Sequence, residues 1–178
     1  MLDFAGQVVL ITGGSSGIGL AAAELFATQG ASIMLAGRSA DKGEAAVARL
    51  AAAGGQVAFV RGDIRDEADV RNLVVETLAE FGRLDVVVNS AGTINRILLT
   101  DLEQPDWDLV MDTNLRGVYL VCKHALPVLF EQRRGAVVNV ASYLGAHGAR
   151  ETTPGYQQGS LQQLWQLYFI AQRNGYPV

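Results

Sequence analysis

The segment Val8-Val9-Leu10-Ile11-Thr12-Gly13-Gly14-Ser15-Ser16-Gly17-Ile18-Gly19 decides the fold of this 178-residue chain. Four aliphatic residues in a row, Val8 to Ile11, suit a parallel strand buried on both faces. The glycines that follow make a tight turn, and the alanine-rich run from Leu20 to Gln29 reads as a helix stopped by Gly30. Glycine at 13, 17 and 19 permits positive φ and leaves no Cβ between the peptide N–H groups and a bound anion. A helix beginning near Gly17 aims its first amides and its positive dipole end at that anion, and a phosphate group fits there. An ordinary glycine-rich turn between strand and helix is the other reading of the same residues.

Thr12-Gly13-Gly14-Ser15-Ser16-Gly17-Ile18-Gly19 resembles the T-G-x-x-x-G-x-G cofactor loop of the short-chain dehydrogenase/reductase family. Its spacing differs from the G-x-G-x-x-G fingerprint of other dinucleotide folds. The resemblance implies that Gly13, Ser16, Gly17, Ile18 and Gly19 contact a dinucleotide.

Composition narrows the function classes. The chain is 49% hydrophobic with a mean hydropathy of +0.19, as expected of a compact globular protein. A net charge of −4 and a pI near 5.1 leave no surplus of basic surface for a nucleic-acid backbone. No apolar run approaches membrane-spanning length, and a first strand starting by Gln7 leaves no room for a signal peptide, so the expected location is cytoplasmic. Cys122 is the one cysteine, which rules out an internal disulfide and any multi-cysteine metal site, and no metal is expected. It falls on the apolar side of a helical pattern and reads as packing, with a reactive thiol as the alternative.

Beyond the loop, short apolar runs alternate with helical stretches. Ser32 to Ala36 is a second strand, ending in Gly37-Arg38-Ser39. Dinucleotide folds read the adenosine ribose just past this strand, with a carboxylate for a 2′-hydroxyl or an arginine for a 2′-phosphate. Gly37 stands in the place of the carboxylate and Arg38 follows it, which favours NADP(H) over NAD(H); a merely solvated arginine is the alternative. A helix follows over Asp41 to Ala53, which Ser39 can cap. Val57 to Val60 is the third strand and runs into Gly62-Asp63-Ile64. An acid there can accept from an adenine amino group, as the family's Asp-aliphatic pair does, or can serve as a turn or cap residue. A helix over Asp66 to Phe81 leads to the fourth strand, Leu84 to Val88. Asn89-Ser90-Ala91-Gly92 is similar to the family's N-N-A-G segment, which implies close approach of the nicotinamide ribose at Ala91 and Gly92 and a supporting role for Asn89 between strands. A short helix is predicted over Thr100 to Gln104 and one long helix over Pro105 to Gln132. Asn114 within it either satisfies local backbone or, as the match of Asn114-Leu115-Arg116-Gly117 to the family's N-x-x-G implies, holds a water in a proton path.

Ala136 to Ser142 is the fifth strand, with Ser142 at its carboxyl end. Ligands of open α/β sheets bind beyond those ends, and a hydroxyl there can donate to a substrate carbonyl. The family's next feature is Tyr-x-x-x-Lys, which would fall at 155 and 159, but this chain has Gly155 and Gly159, and no lysine follows Lys123. Tyr156 is one place late, with Ser160 as its i+4 neighbour, and can act only as a displaced proton donor. The resemblance covers about residues 5–154; the glutamine-rich run after it departs from the family, whose last strands are missing. A reading-frame shift near Pro154 or a truncated relative with a replaced tail are the two origins considered.

The expected architecture is therefore α/β: a Rossmann-like, doubly wound parallel sheet with five strands evident. Residues 1–154 form the dinucleotide-binding domain and 155–178 an atypical tail of helical periodicity, which could cover an otherwise open fifth strand. The resemblance implies an oxidoreductase moving hydride between NADP(H) and a small-molecule carbonyl or secondary alcohol. In that reading Ser142, Tyr156 and Asn114 are catalytic, and Gly13, Ser16, Gly17, Ile18, Gly19, Arg38, Asp63, Ile64, Asn89, Ala91 and Gly92 face the cofactor. The missing lysine favours the alternative, a catalytically impaired dinucleotide-binding or subunit-interaction protein. Association into a homo-oligomer stays open.

Overall fold

The computed structural model describes residues 3–142. Tyr156 and the tail 155–178 lie outside the described residues, as does the end of the expected domain, 143–154. The described residues divide into two compact units, one of residues 3–91 with Gly117–Val138 and one of Gly92–Arg116 with residues 139–142.

In the first unit the apolar runs form the strands that alternation and β-branching lead one to expect. β1 (Val8–Thr12) is buried at every residue. The sheet order is β3-β2-β1-β4-β5, where β2 is Ser32–Gly37, β3 Gln56–Arg61, β4 Val86–Asn89 and β5 Ala136–Asn139. β1 runs parallel to β2, with Val9 opposite Ile33, and parallel to β4, with Val9 opposite Val86; β2 runs parallel to β3. The chain therefore winds outward from β1 through β2 and β3, then returns to β4 on the other side of β1. A crevice opens at such a reversal, beyond the carboxyl ends of β1 and β4.

Period-two alternation sends Leu10, Met34 and Val87 to one face, where they share a core with Val70 and Leu73 of α3 (Glu67–Phe81) and Leu120, Val121 and Ala125 of α5 (Gly117–Glu131). Val9, Ile11, Ile33 and Leu35 are also buried and lie on the opposite side of the pleat, where α1 (Gly17–Thr28) and α2 (Ala40–Ala52) pack on the strands. The helix starts follow their caps. Ser39 Oγ accepts from Lys42 N–H at 3.4 Å, and Asp66 accepts from the amides of Ala68 and Asp69 at 2.8 and 3.1 Å. At the amino end of the sheet, buried Asp85 accepts from Val8 N–H at 3.0 Å and pairs with Arg83 and Arg134, tying β1, β4 and the approach to β5 together.

The second unit departs from the expected pattern. In place of one helix over Pro105 to Gln132, the chain forms α4 (Gln104–Met111), then a π turn over Asp112–Arg116, before α5 begins at Gly117. The wide turn contains Asn114, whose side chain is used non-locally, as described below. Pro127, by contrast, sits inside α5 without ending it. The short helix expected at Thr100 to Gln104 is a single 3-10 turn over Leu99–Asp101. β5 ends at Asn139, so Ser142 stands three residues beyond the strand and not within it.

Candidate functional site

The turn after β1 is built by backbone approach. Gly13 N–H donates to Ala36 O at 2.8 Å, which fastens the turn to the end of β2. Gly13 has φ +67°, and a Cβ there would lie 2.8 Å from both N and Cα of Ala91. A Cβ on Gly19 would lie 2.5 Å from the Gly13 carbonyl oxygen. Both glycines are therefore required by packing of main chain on main chain. Gly17 differs: its φ is +53°, and nothing lies within 4 Å of the position a Cβ would take. Its side faces open space.

That open space lies at the start of α1. Ser16 is the N-cap, with an extended backbone and no side-chain capping bond, and the first helical bond runs from Leu20 N–H to Ser16 O at 3.2 Å. The amides of Gly17, Ile18 and Gly19 thus precede the helix's own ladder, as amides that receive an anion do. Ile18 is 66% exposed and gives the mouth of this cradle an apolar edge. A Cβ-free cradle with unclaimed amides fits the diphosphate of a dinucleotide.

Thr12, which the sequence reading quoted without a role, closes the other side. Its hydroxyl is buried and accepts from the amides of Ser90 and Ala91, both at 3.3 Å, joining the carboxyl ends of β1 and β4. A threonine after an apolar run was the available signal. Asn89 was expected to tie neighbouring strands; its Nδ2 donates to Cys122 Sγ at 3.7 Å, a contact that links β4 to α5. Burial pushes the Cys122 thiol up to about 11, with the Asn89 contact working weakly against it, so the group is a packed neutral thiol.

Arg38 and Asp63 come together at the carboxyl ends of β2 and β3. Gly62 N–H donates to Gly37 O at 3.0 Å in a register that pairs Gly37 with Arg61, so Arg38 and Asp63 follow the two strand ends one residue out of step. Arg38 is exposed and has no hydrogen bond or ion pair among the described residues. A side chain at 37 would begin 3.3 Å from Ser15 Oγ, which crowds any carboxylate there. Asp63 accepts from Arg65 N–H, Nε and NH2, which holds its carboxyl below the ordinary value, assisted by the charges of Arg65 and Arg38 and opposed by burial. This is the turn geometry of the second reading of Asp63, and the Arg65 fork was not foreseen. Ile64 places its side chain in the core, leaving its main chain as the part that can face a ligand.

Asn114, Gly92 and Ser142 belong to the second unit. Asn114 Oδ1 accepts from Thr93 N–H at 2.8 Å and its Nδ2 donates to Thr93 O at 2.7 Å, a two-point clamp on a loop residue 21 positions away. A Cβ on Gly92 would lie 3.3 Å from the same Oδ1, so glycine permits the clamp. Ser142 is partly buried; Tyr156 lies outside the described residues. Among the described residues no cluster of His, Cys, Asp and Glu could hold a metal, and no helix is long and apolar enough to cross a membrane.

Comparison with known proteins agrees with this geometry. Residues 7–157 match the family described as short chain dehydrogenase. The chain is 38% identical over 147 residues to an uncharacterized oxidoreductase of Thermotoga maritima, covering 83% of this chain and 58% of that protein. It is 33% identical over 152 residues to the 3-oxoacyl-acyl-carrier-protein reductase FabG of Chlamydia pneumoniae, covering 85% and 61%. It is 39% identical over 141 residues to tropinone reductase-like 1 of Erythroxylum coca, covering 77% and 51%. The chain thus spans little more than half the length of the curated relatives it matches. With the glycine turn at the sheet's reversal point and the match running from before β1 to past β5, the chain belongs to the short-chain dehydrogenase family, whose members use NAD(P)(H).

Proposed function

We propose that this chain binds NADP(H) in preference to NAD(H) and serves an oxidoreductase acting on a small-molecule carbonyl or secondary alcohol, in the cytoplasm. The observation that carries the reading is the end of β2, where crowded Gly37 is followed by an exposed Arg38 that has no hydrogen-bond or ion-pair partner among the described residues. An arginine there can meet a 2′-phosphate through a charge-assisted fork. The amides of Gly17 to Gly19 receive the diphosphate, Ser16 and Ile18 flank it, and the main chain of Asp63, Ile64, Ala91 and Gly92 faces the bases and riboses. The bound nicotinamide supplies or accepts hydride. Ser142 orients the substrate carbonyl by donating from its hydroxyl. Both polar atoms of the Asn114 side chain are committed to Thr93, so the relay water is held at the Asn114 main chain. Tyr156 donates the proton.

The second reading, a dinucleotide-binding or subunit-interaction protein of impaired catalysis, is favoured by Gly155 and Gly159 in place of the family's tyrosine and lysine. A tyrosine hydroxyl without a neighbouring cation keeps a pKa near ~10, and the general-acid contribution at stake is about 10²- to 10⁴-fold. The test is a fluorescence titration with NADPH and NADH, followed by NADPH oxidation against a panel of ketones. Saturable binding that prefers NADPH and weakens in Arg38→Ala is the expected result, with turnover lost in Tyr156→Phe. Preference for NADPH without turnover moves the chain to the second reading; binding of neither cofactor removes both.

A further inference from the structure

We propose that Arg65 sets the preference for a 2′-phosphate by keeping Asp63 from capturing Arg38. The inference rests on the NADP(H) reading above. The Gly62 N–H to Gly37 O bond at 3.0 Å belongs to a register that pairs Gly37 with Arg61, so Arg38 and Asp63 follow the ends of neighbouring strands on a diagonal, one residue out of step. An arginine side chain is long enough to cross such a diagonal, and the Arg38 charge already helps to hold the Asp63 carboxyl low. The two groups do not pair. Arg65 instead closes on the carboxylate with four hydrogen bonds: N–H to Oδ1 at 3.0 Å, Nε to Oδ1 at 3.1 Å and to Oδ2 at 3.0 Å, and NH2 to Oδ2 at 2.6 Å. Each oxygen accepts two, which fills the usual capacity of a carboxylate.

Arg65 lies two residues from Asp63, so little chain entropy is lost in closing the fork, and Asp63 N–H is itself anchored to Asp69 Oδ2 at 2.9 Å. The consequence is an Arg38 that can meet a phosphate without first breaking a bond to any of the described residues. An uncovered Asp63 would do two harmful things: it would hold Arg38, and it would repel the incoming anion. The same saturation means that an adenine amino group can reach the Asp63 carboxylate only by displacing one of the Arg65 contacts. Arg65 is a positioning residue that acts through Arg38.

The test compares dissociation constants for NADPH and NADH, by nicotinamide fluorescence, in the full chain and in Arg65→Gln, Arg38→Ala and the double variant. Arg65→Gln should weaken NADPH about tenfold, the effect of one charge-assisted contact, and leave NADH within about twofold. On the Arg38→Ala background, adding Arg65→Gln should change the NADPH to NADH ratio by less than about twofold, since the two substitutions remove one coupled interaction. In the free protein, NMR of the Arg38 guanidinium should show slowed Nε–H exchange in Arg65→Gln as Asp63 takes hold of it. If Arg65→Gln abolishes binding of both cofactors, Arg65→Lys, which keeps the charge but not the fork, carries the same expectations. A wild-type NADPH preference that survives Arg65→Gln overturns this proposal alone, as does an equal loss on the Arg38→Ala background, which would mean that Arg65 meets the phosphate itself. A wild-type chain that binds NADPH no better than NADH overturns the cofactor reading and this proposal with it.

Discussion

Gly13 and Gly17 both hold positive φ, yet glycine is needed at the two positions for different reasons. At Gly13 a Cβ would strike the Ala91 main chain at 2.8 Å, so substitution forces the ends of β1 and β4 apart. At Gly17 a Cβ would meet nothing within 4 Å, and only the left-handed backbone at φ +53° resists it, at about 1–2 kcal/mol. The two alanine variants should therefore separate fold from binding. Gly17→Ala should melt only some ~2–8 °C lower, by the usual conversion for a chain of this size, and still lose NADPH affinity because its methyl enters the cradle. Gly13→Ala should lose affinity and stability together. A Gly17→Ala chain that binds NADPH as tightly as the wild type would place the diphosphate somewhere other than the start of α1. Thr12 belongs to the same construction: its hydroxyl is the acceptor that lets the Ser90 and Ala91 amides be buried beside the glycine turn.

At the scale of elements, the strands were legible because each carries a short apolar run between turn residues, and in β1, buried at every residue, that run is aliphatic from Val8 to Ile11, as a parallel strand covered on both faces requires. α2 and α3 were legible to within a residue because Ser39 and Asp66 announce their starts. The helix over Pro105 to Gln132 was misread because apolar spacing of three and four continues through Asp112–Arg116, and a π turn shifts the register by one residue without breaking that pattern. In the candidate site the glycines and Arg38 could be read from spacing, since backbone conformation and a lone cation depend on local sequence. The Arg65 fork and the Asn114 clamp could not, because each depends on which acceptor a side chain reaches in space. The link from Asn89 to Cys122, between β4 and α5, was also hidden, and it carries a pH dependence. Burial raises the thiol from its ordinary value to about 11, so the unfolded chain releases this proton first. The thiol's contribution to stability is whole below the unfolded value of ~8.5 and is lost as pH rises toward the folded one. Native protein at pH 8 should resist a disulfide reagent until urea opens α5, and Cys122→Ala should flatten the alkaline limb of a stability profile. Prompt labelling of the native chain at pH 8 would contradict the burial.

For the whole molecule, most of the residues proposed to hold the cofactor fall within one of the two compact units. Gly13 to Gly19, Arg38, Asp63 and Ala91 belong to the first unit, whereas Gly92, Asn114 and Ser142 belong to the second. In the reading proposed above, affinity for a dinucleotide is therefore expected to persist even where turnover fails for want of the family's Tyr-x-x-x-Lys pair, whose places hold Gly155 and Gly159. A ligand that binds only the folded chain stabilises it by mass action, about 2.7 kcal/mol at a free concentration one hundred times the dissociation constant. For a chain of this length that corresponds to a rise of roughly 5–10 °C in melting temperature. NADPH should produce such a shift in the full chain whether or not any ketone is reduced, and NADH at the same concentration should produce a smaller one, because Arg38 meets only a ribose hydroxyl. The difference should vanish in Arg38→Ala. Equal shifts from both cofactors in the wild type would show that Arg38 does not read the 2′-phosphate, and no shift from either would show that the cradle at the start of α1 does not take a dinucleotide.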